Sequence, residues 1–110
     1  MVIDKKENYT LISSDENSFS DFYNTFFKKE NELDKENLIL EIFDEINISK
    51  EDYLLLLNIA EQKKENGISF VIVYNNVNID DFPENFNIVP TLIEAEDILE
   101  MEAMERELGF

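Results

Sequence analysis

Apolar residues recur along this chain with two periods, and the change from one period to the other marks out its elements. Ile68-Ser69-Phe70-Val71-Ile72-Val73-Tyr74 is β-branched and aromatic with a single polar position. A strand wetted on one face would alternate, so this run predicts a strand covered on both faces, as parallel strands are. Leu38–Phe43 is similar, interrupted only by Glu41. Between the two, Tyr53, Leu54, Leu56, Leu57 and Ala60 form the wide inner face of a helix from Ser49 to about Asn66.

The punctuation of that helix agrees with its periodicity. Ser49 is placed to cap its start, and the acids Glu51 and Asp52 in its first turn suit the helix dipole. Lys63 and Lys64 fall in the last turn, and Asn66-Gly67 supplies a left-handed stop. Parallel strands joined by such a helix cross over right-handedly. The stretch from Leu38 to Tyr74 therefore reads as a central βαβ unit.

The flanking elements follow from the same two periods. Val2-Ile3 and Tyr9–Ile12 predict a small N-terminal hairpin, and Ser13–Asn17 a loop. Phe19, Phe22, Tyr23, Phe26 and Phe27 fall at i, i+3, i+4, i+7 and i+8, one broad aromatic stripe on a helix starting near Ser18 or Ser20. Such a stripe is at times a ligand platform, but here its spacing fits an entire inner face packed on the sheet. Lys28 to Asn37 reads as a charged loop.

Beyond Tyr74, Asn75–Asn78 is turn chemistry and Ile79–Glu84 has room for one helical turn. Phe86–Pro90 reads as a short last strand, with the proline at its end or at a sheet edge. Thr91 with Glu94 fits a capping box for a helix running from Leu92 toward Leu108. Its expected inner stripe is Leu92, Ala95, Ile98, Leu99 and Met101 or Met104, the methionines read as core filler.

Composition narrows the chemistry. The 110 residues fit one domain with one core. No apolar run approaches the roughly 20 residues of a membrane span, and the early charges of Asp4, Lys5 and Lys6 do not suit a secretory signal. With no cysteine, neither disulfides nor thiolate chemistry is expected, and the chain reads as cytoplasmic. The net charge is −17, with 14 acids against 6 bases in residues 1–55 and 12 against 3 in residues 56–110. So evenly spread a charge argues against direct nucleic-acid binding, since phosphates would be repelled. It serves solubility, and it would also attract a basic partner surface.

The absences are as informative. Without histidine or cysteine, the usual zinc ligands, a Ser-His-Asp triad and a Cys-His pair are excluded. Two glycines, Gly67 and Gly109, cannot build a phosphate-binding loop. Acids are plentiful, but none follows the spacing of a calcium loop, and solvated surface explains them better than a metal or acid-pair site. No catalytic residue, cofactor or metal is expected.

The run Leu38–Ser49, then Leu54–Ala60, then Asn66–Val73, resembles the STAS domain of bacterial anti-sigma factor antagonists and sulfate-transporter tails. Val89-Pro90-Thr91-Leu92-Ile93-Glu94-Ala95 is similar to that family's last strand and the start of its final helix. The likeness covers roughly residues 38 to 99 and rests on pattern and spacing. It implies an α/β fold, a mixed sheet of about 4–5 strands with a central right-handed βαβ unit and about 3–4 helices. It also implies a non-enzymatic regulatory module that binds another protein.

The family carries Asp-Ser-Ser-Gly or Asp-Ser-Thr-Gly at the start of the central helix, where a kinase phosphorylates the second hydroxyl. Counted back from Gly67, those positions fall here on Ser49, Lys50, Glu51 and Asp52, so the hydroxyl is replaced by a permanent anion, Glu51. In the family this turn and the loop before it meet the partner, which by resemblance makes Asn47, Ser49, Lys50, Glu51 and Asp52 the partner-binding residues. On local chemistry alone, Ser49 is a helix cap and Glu51 a first-turn acid.

The chain also resembles small acidic proteins of the Bacteroidetes type that carry the name ribonuclease Z, a zinc hydrolase with histidine and aspartate ligands. Lacking any histidine and bearing a −17 charge, it is not expected to do that work. Three readings follow. The first is a protein-binding module for a partner with a basic surface. The second is an accessory protein docking on a neighbouring RNA-processing enzyme, and the remote third is a carboxylate-dependent enzyme.

Overall fold

In the computed structural model the chain is an α/β protein, a five-stranded mixed sheet with helices on both faces. The structure describes residues 1–29, 32, 33, 35–43, 46, 48–75 and 87–109. In chain order the elements are β1 (Val2–Lys5), β2 (Thr10–Ser13), α1 (Phe19–Lys29), β3 (Leu38–Ile42), α2 (Lys50–Glu65), β4 (Phe70–Tyr74), β5 (Ile88–Val89) and α3 (Leu92–Glu107). The strands lie side by side in that same order; β1 runs antiparallel to β2, and β2 to β5 are parallel. The hairpin, the βαβ unit, the short last strand and the last helix all stand where the periodicity puts them. Asn76–Asn78, the helical turn expected at Ile79–Glu84, and Phe86 lie outside the described residues.

Strand register sorts the side chains into two cores. The rungs Leu38↔Phe70, Leu40↔Ile72 and Ile42↔Tyr74 face one way, and Ile39↔Val71 and Glu41↔Val73 the other. Beneath α1 and α2, Phe19, Phe22, Phe26, Leu56 and Ile59 pack on the first set together with Ile12 and Ile88. Under α3, Ala95 and Leu99 close on Leu11, Ile39, Val71 and Val73. All five residues of β4 are buried, as its unbroken apolar run requires.

Three helical faces are narrower than their spacing suggests. Leu54, read as inward, is exposed, because Leu56, Ile59 and Lys63 set the buried direction of α2 and successive residues turn by about 100°. Phe27 is exposed as well: α1 buries Phe19, Phe22 and Phe26, and Phe27 stacks instead on Tyr23 with ring centroids 6.1 Å apart. On α3, Met101 and Met104 are not core filler. Both are exposed, since the small Ala95 and Leu99 define the side that meets the sheet. The helix α1 also takes in Lys28 and Lys29, and within the expected charged loop Leu33 is buried and its carbonyl accepts from the buried Lys63 Nζ at 3.3 Å.

Polar side chains fasten the base of the sheet. Ser69 Oγ donates to Glu102 Oε1 at 2.6 Å and Asn87 Nδ2 to Glu102 Oε2 at 3.0 Å, tying α3 to the start of β4 and β5. Asn37 Oδ1 accepts from Ser69 N at 2.9 Å while its Nδ2 donates to Asn8 O, bracing the turn between β1 and β2 against the starts of β3 and β4.

Candidate partner-binding site

The first turn of α2 lies beyond the C-terminal ends of the parallel strands, the edge of an open α/β sheet where ligands and partners are usually met. Its approach loop is pinned by the strand ends. Buried Ser14, just past β2, donates its N–H to Glu41 O at 2.9 Å, and its hydroxyl accepts from Phe43 N at 3.0 Å. Tyr74 Oη, at the end of β4, donates to Ile46 O at 2.9 Å, and Ile46 itself is buried in the core under α1 and α2. Half-buried Ile48 packs against the same core. The turn is thus held from two neighbouring strands, and within its loop Ile46 N donates to Phe43 O at 3.0 Å.

At the turn itself Ser49 is extended, with φ −82° and ψ 170°. Its hydroxyl accepts from Asp52 N at 3.2 Å, and Asp52 Oδ2 accepts from Ser49 N at 2.9 Å, a reciprocal cap. Ser49 and Asp52 are therefore occupied with each other. Lys50 and Glu51 stand exposed on the outer side of the turn. Glu51 shares its face with Leu54 and Leu55, three and four residues on, and both leucines are exposed. Phe43, at the start of the approach loop, is also exposed. Asn47, expected among the partner-binding residues, lies outside the described residues.

So the structure brings Ser49, Lys50, Glu51 and Asp52 onto one turn, with Ser49 and Asp52 paired in the cap and Ser49, Lys50 and Glu51 all exposed. Leu54, Leu55 and Phe43 are the neighbours that sequence reasoning missed. The available signal was the run Leu54-Leu55-Leu56-Leu57, in which four consecutive leucines cannot all face inward on one helix.

One concavity borders this region and another lies away from it. One, of about 260 Å³, sits on the α3 side of the strand ends and is lined by Glu41, Phe43, Val73, Asn75, Pro90 and Thr91. Its one carboxylate, Glu41, accepts from Ser13 Oγ at 3.2 Å. The larger, about 450 Å³, lies between α2 and α3 at the opposite end of the strands, far from the α2 first turn. Its Glu102 is already engaged by Ser69, Asn87 and Arg106, the last at 3.8 Å. Among the described residues no group of three or more acids is placed to hold a metal ion, and no helix is long and apolar enough to cross a membrane. No protein-family model matches the chain, and no curated protein matches it.

Proposed function

We propose that this chain is a non-enzymatic, STAS-like protein-binding module that presents the first turn of α2 to a partner with a basic surface. The observation that carries the reading is the division of labour at that turn. The Ser49 hydroxyl is committed to the cap, while Glu51 offers a fixed carboxylate beside exposed Leu54 and Leu55. An anion next to apolar surface, on a turn held by the strand ends, suits a partner patch that pairs Lys or Arg with apolar side chains. A phosphoserine carries about −2 charge and three acceptor oxygens, whereas a glutamate carries one charge that no phosphatase removes. The reading is of a permanently charged contact and not of one switched by a kinase.

Glu51→Lys tests it. The turn is exposed, so the substitution should cost at most about 1 kcal/mol of stability through the helix dipole. Capture from a native lysate with wild-type chain as bait, followed by mass spectrometry, yields the partner, and affinity is then compared for the two chains. Binding should fall at least tenfold, because a reversed charge now faces a cation. Equal affinity in a variant that melts like wild type would move the interface off this turn. Recovery of an RNA-processing enzyme as the partner would assign the accessory role.

A further inference from the structure

We infer that the outward face of α3 is a second docking surface, shaped for a basic amphipathic helix of a partner protein. Four large apolar side chains line it: Ile93 (72% exposed), Met101 (52%), Met104 (59%) and Leu108 (72%). At about 100° per residue they project within an arc of about 80°, centred roughly opposite buried Leu99. Scattered exposed apolar residues are ordinary on a protein surface, but Met101, Met104 and Leu108 form one patch over the end of the helix, with Ile93 on the same side beyond Asp97, and a patch of that kind suits an interface. Two of its members are methionines, whose flexible thioethers mould to a partner's side chains.

The rim of the stripe names the occupant. Glu94 and Glu105 border it on one side, Glu100 and Glu107 on the other, and Asp97 lies within it, all exposed. The one cation of the helix, Arg106, is turned toward Glu102 at 3.8 Å on the sheet side. A second copy of the chain would set one acidic rim against another, and an anionic membrane would be repelled in the same way. A helix bearing an apolar ridge between rows of Lys or Arg meets both requirements, the ridge against Met101 and Met104 and the cations against the rim. Because α3 covers the sheet face opposite α1 and α2, this surface is separate from the α2 first turn and does not depend on its role.

The test uses the full chain and two synthetic peptides of about 18 residues with leucines on one face, one carrying lysines on the other face and one carrying glutamates. In titration calorimetry the lysine peptide should bind and the glutamate peptide should not. The double variant Met101→Gln/Met104→Gln, which leaves the net charge unchanged, should weaken lysine-peptide binding at least tenfold, while Asp21→Asn, an exposed acid removed from α1 on the other face of the sheet, leaves it within about twofold. Should that double variant melt lower than wild type, Ile93→Gln/Leu108→Gln reads the same stripe from its two ends. Undiminished binding in a folded stripe variant would mean that bare charge holds the peptide, and the proposal falls. Sedimentation showing a dimer that the stripe variants dissolve would name a second copy as the occupant and overturn it equally.

Discussion

Ser49 shows how far single residues carry this fold. Its hydroxyl and the Asp52 carboxylate close the first turn of α2 reciprocally. Ser49→Ala should therefore cost about 1 kcal/mol, and a fall in melting temperature of about 4 °C should register it. An unchanged melt would mean that water serves the turn as well as the hydroxyl. Ser49, Thr91 and Gly67 were all legible in the sequence because caps and stops are local chemistry. Thr91 Oγ1 accepts from Glu94 N at 3.3 Å, and Gly67 takes φ +72°, where a side chain would be strained. Tyr9 was not legible. Its hydroxyl donates to Glu96, 87 residues away, at 3.1 Å, and burial first and that bond second raise its pKa to about 12. A raised pKa means that the folded state holds the proton more tightly than the unfolded chain, whose tyrosines titrate near 10. The contribution is thus complete below about pH 10 and fades as pH rises toward 12. The stability gap between wild type and Tyr9→Phe should shrink across that window in denaturant melts, and a constant gap would put the hydroxyl in water.

At the scale of elements, strands and helices were unequally readable. A strand buried on both faces advertises itself, as Phe70–Tyr74 does, because every position must be apolar. A helix with apolar residues on more than one side does not reveal which side meets the sheet. On α2 the choice falls to Leu56 and Ile59, and Leu54 is left outside; on α3 Ala95 wins a place that bulkier Met101 loses. The difference is measurable. Leu56→Ala empties a fully buried site and should cost about 3 kcal/mol, whereas Leu54→Ala should stay within about 0.5 kcal/mol of wild type. Equal costs would mean that α2 is rotated about its axis. Nor could spacing disclose the polar fasteners, since Glu102 finds Ser69 and Asn87 only once α3 has folded back over the sheet. At the candidate site the cap was legible, but the exposed companions of Glu51 depended on that same rotation of α2.

Charge acts on the molecule as a whole. Twenty-six acids face nine bases, so one-to-one pairing of side chains would still leave 17 carboxylates over. The described ion pairs are few and near the surface, among them Lys5–Glu36 at 3.5 Å, Lys6–Asp4 at 2.8 Å and Lys29–Glu32 at 3.9 Å. Exposed pairs of that kind contribute little, whereas net self-repulsion grows with every unpaired acid. Added salt screens both, and at about 0.1 M the screening length is already about 10 Å, well short of the 41 × 32 × 23 Å extents over which the charge is spread. Repulsion, acting over longer distances, is screened more completely than the close pairs. The melting temperature should accordingly rise between about 10 mM and about 0.5 M sodium chloride. Association with a basic partner should respond in the opposite sense, its on-rate falling over the same range as steering is lost. Opposite salt responses of folding and binding in one protein would trace both to the same acidic surface. A melting temperature that fell with salt would show that local ion pairs, despite their small number, outweigh the net charge, and steering by that charge would then have no basis.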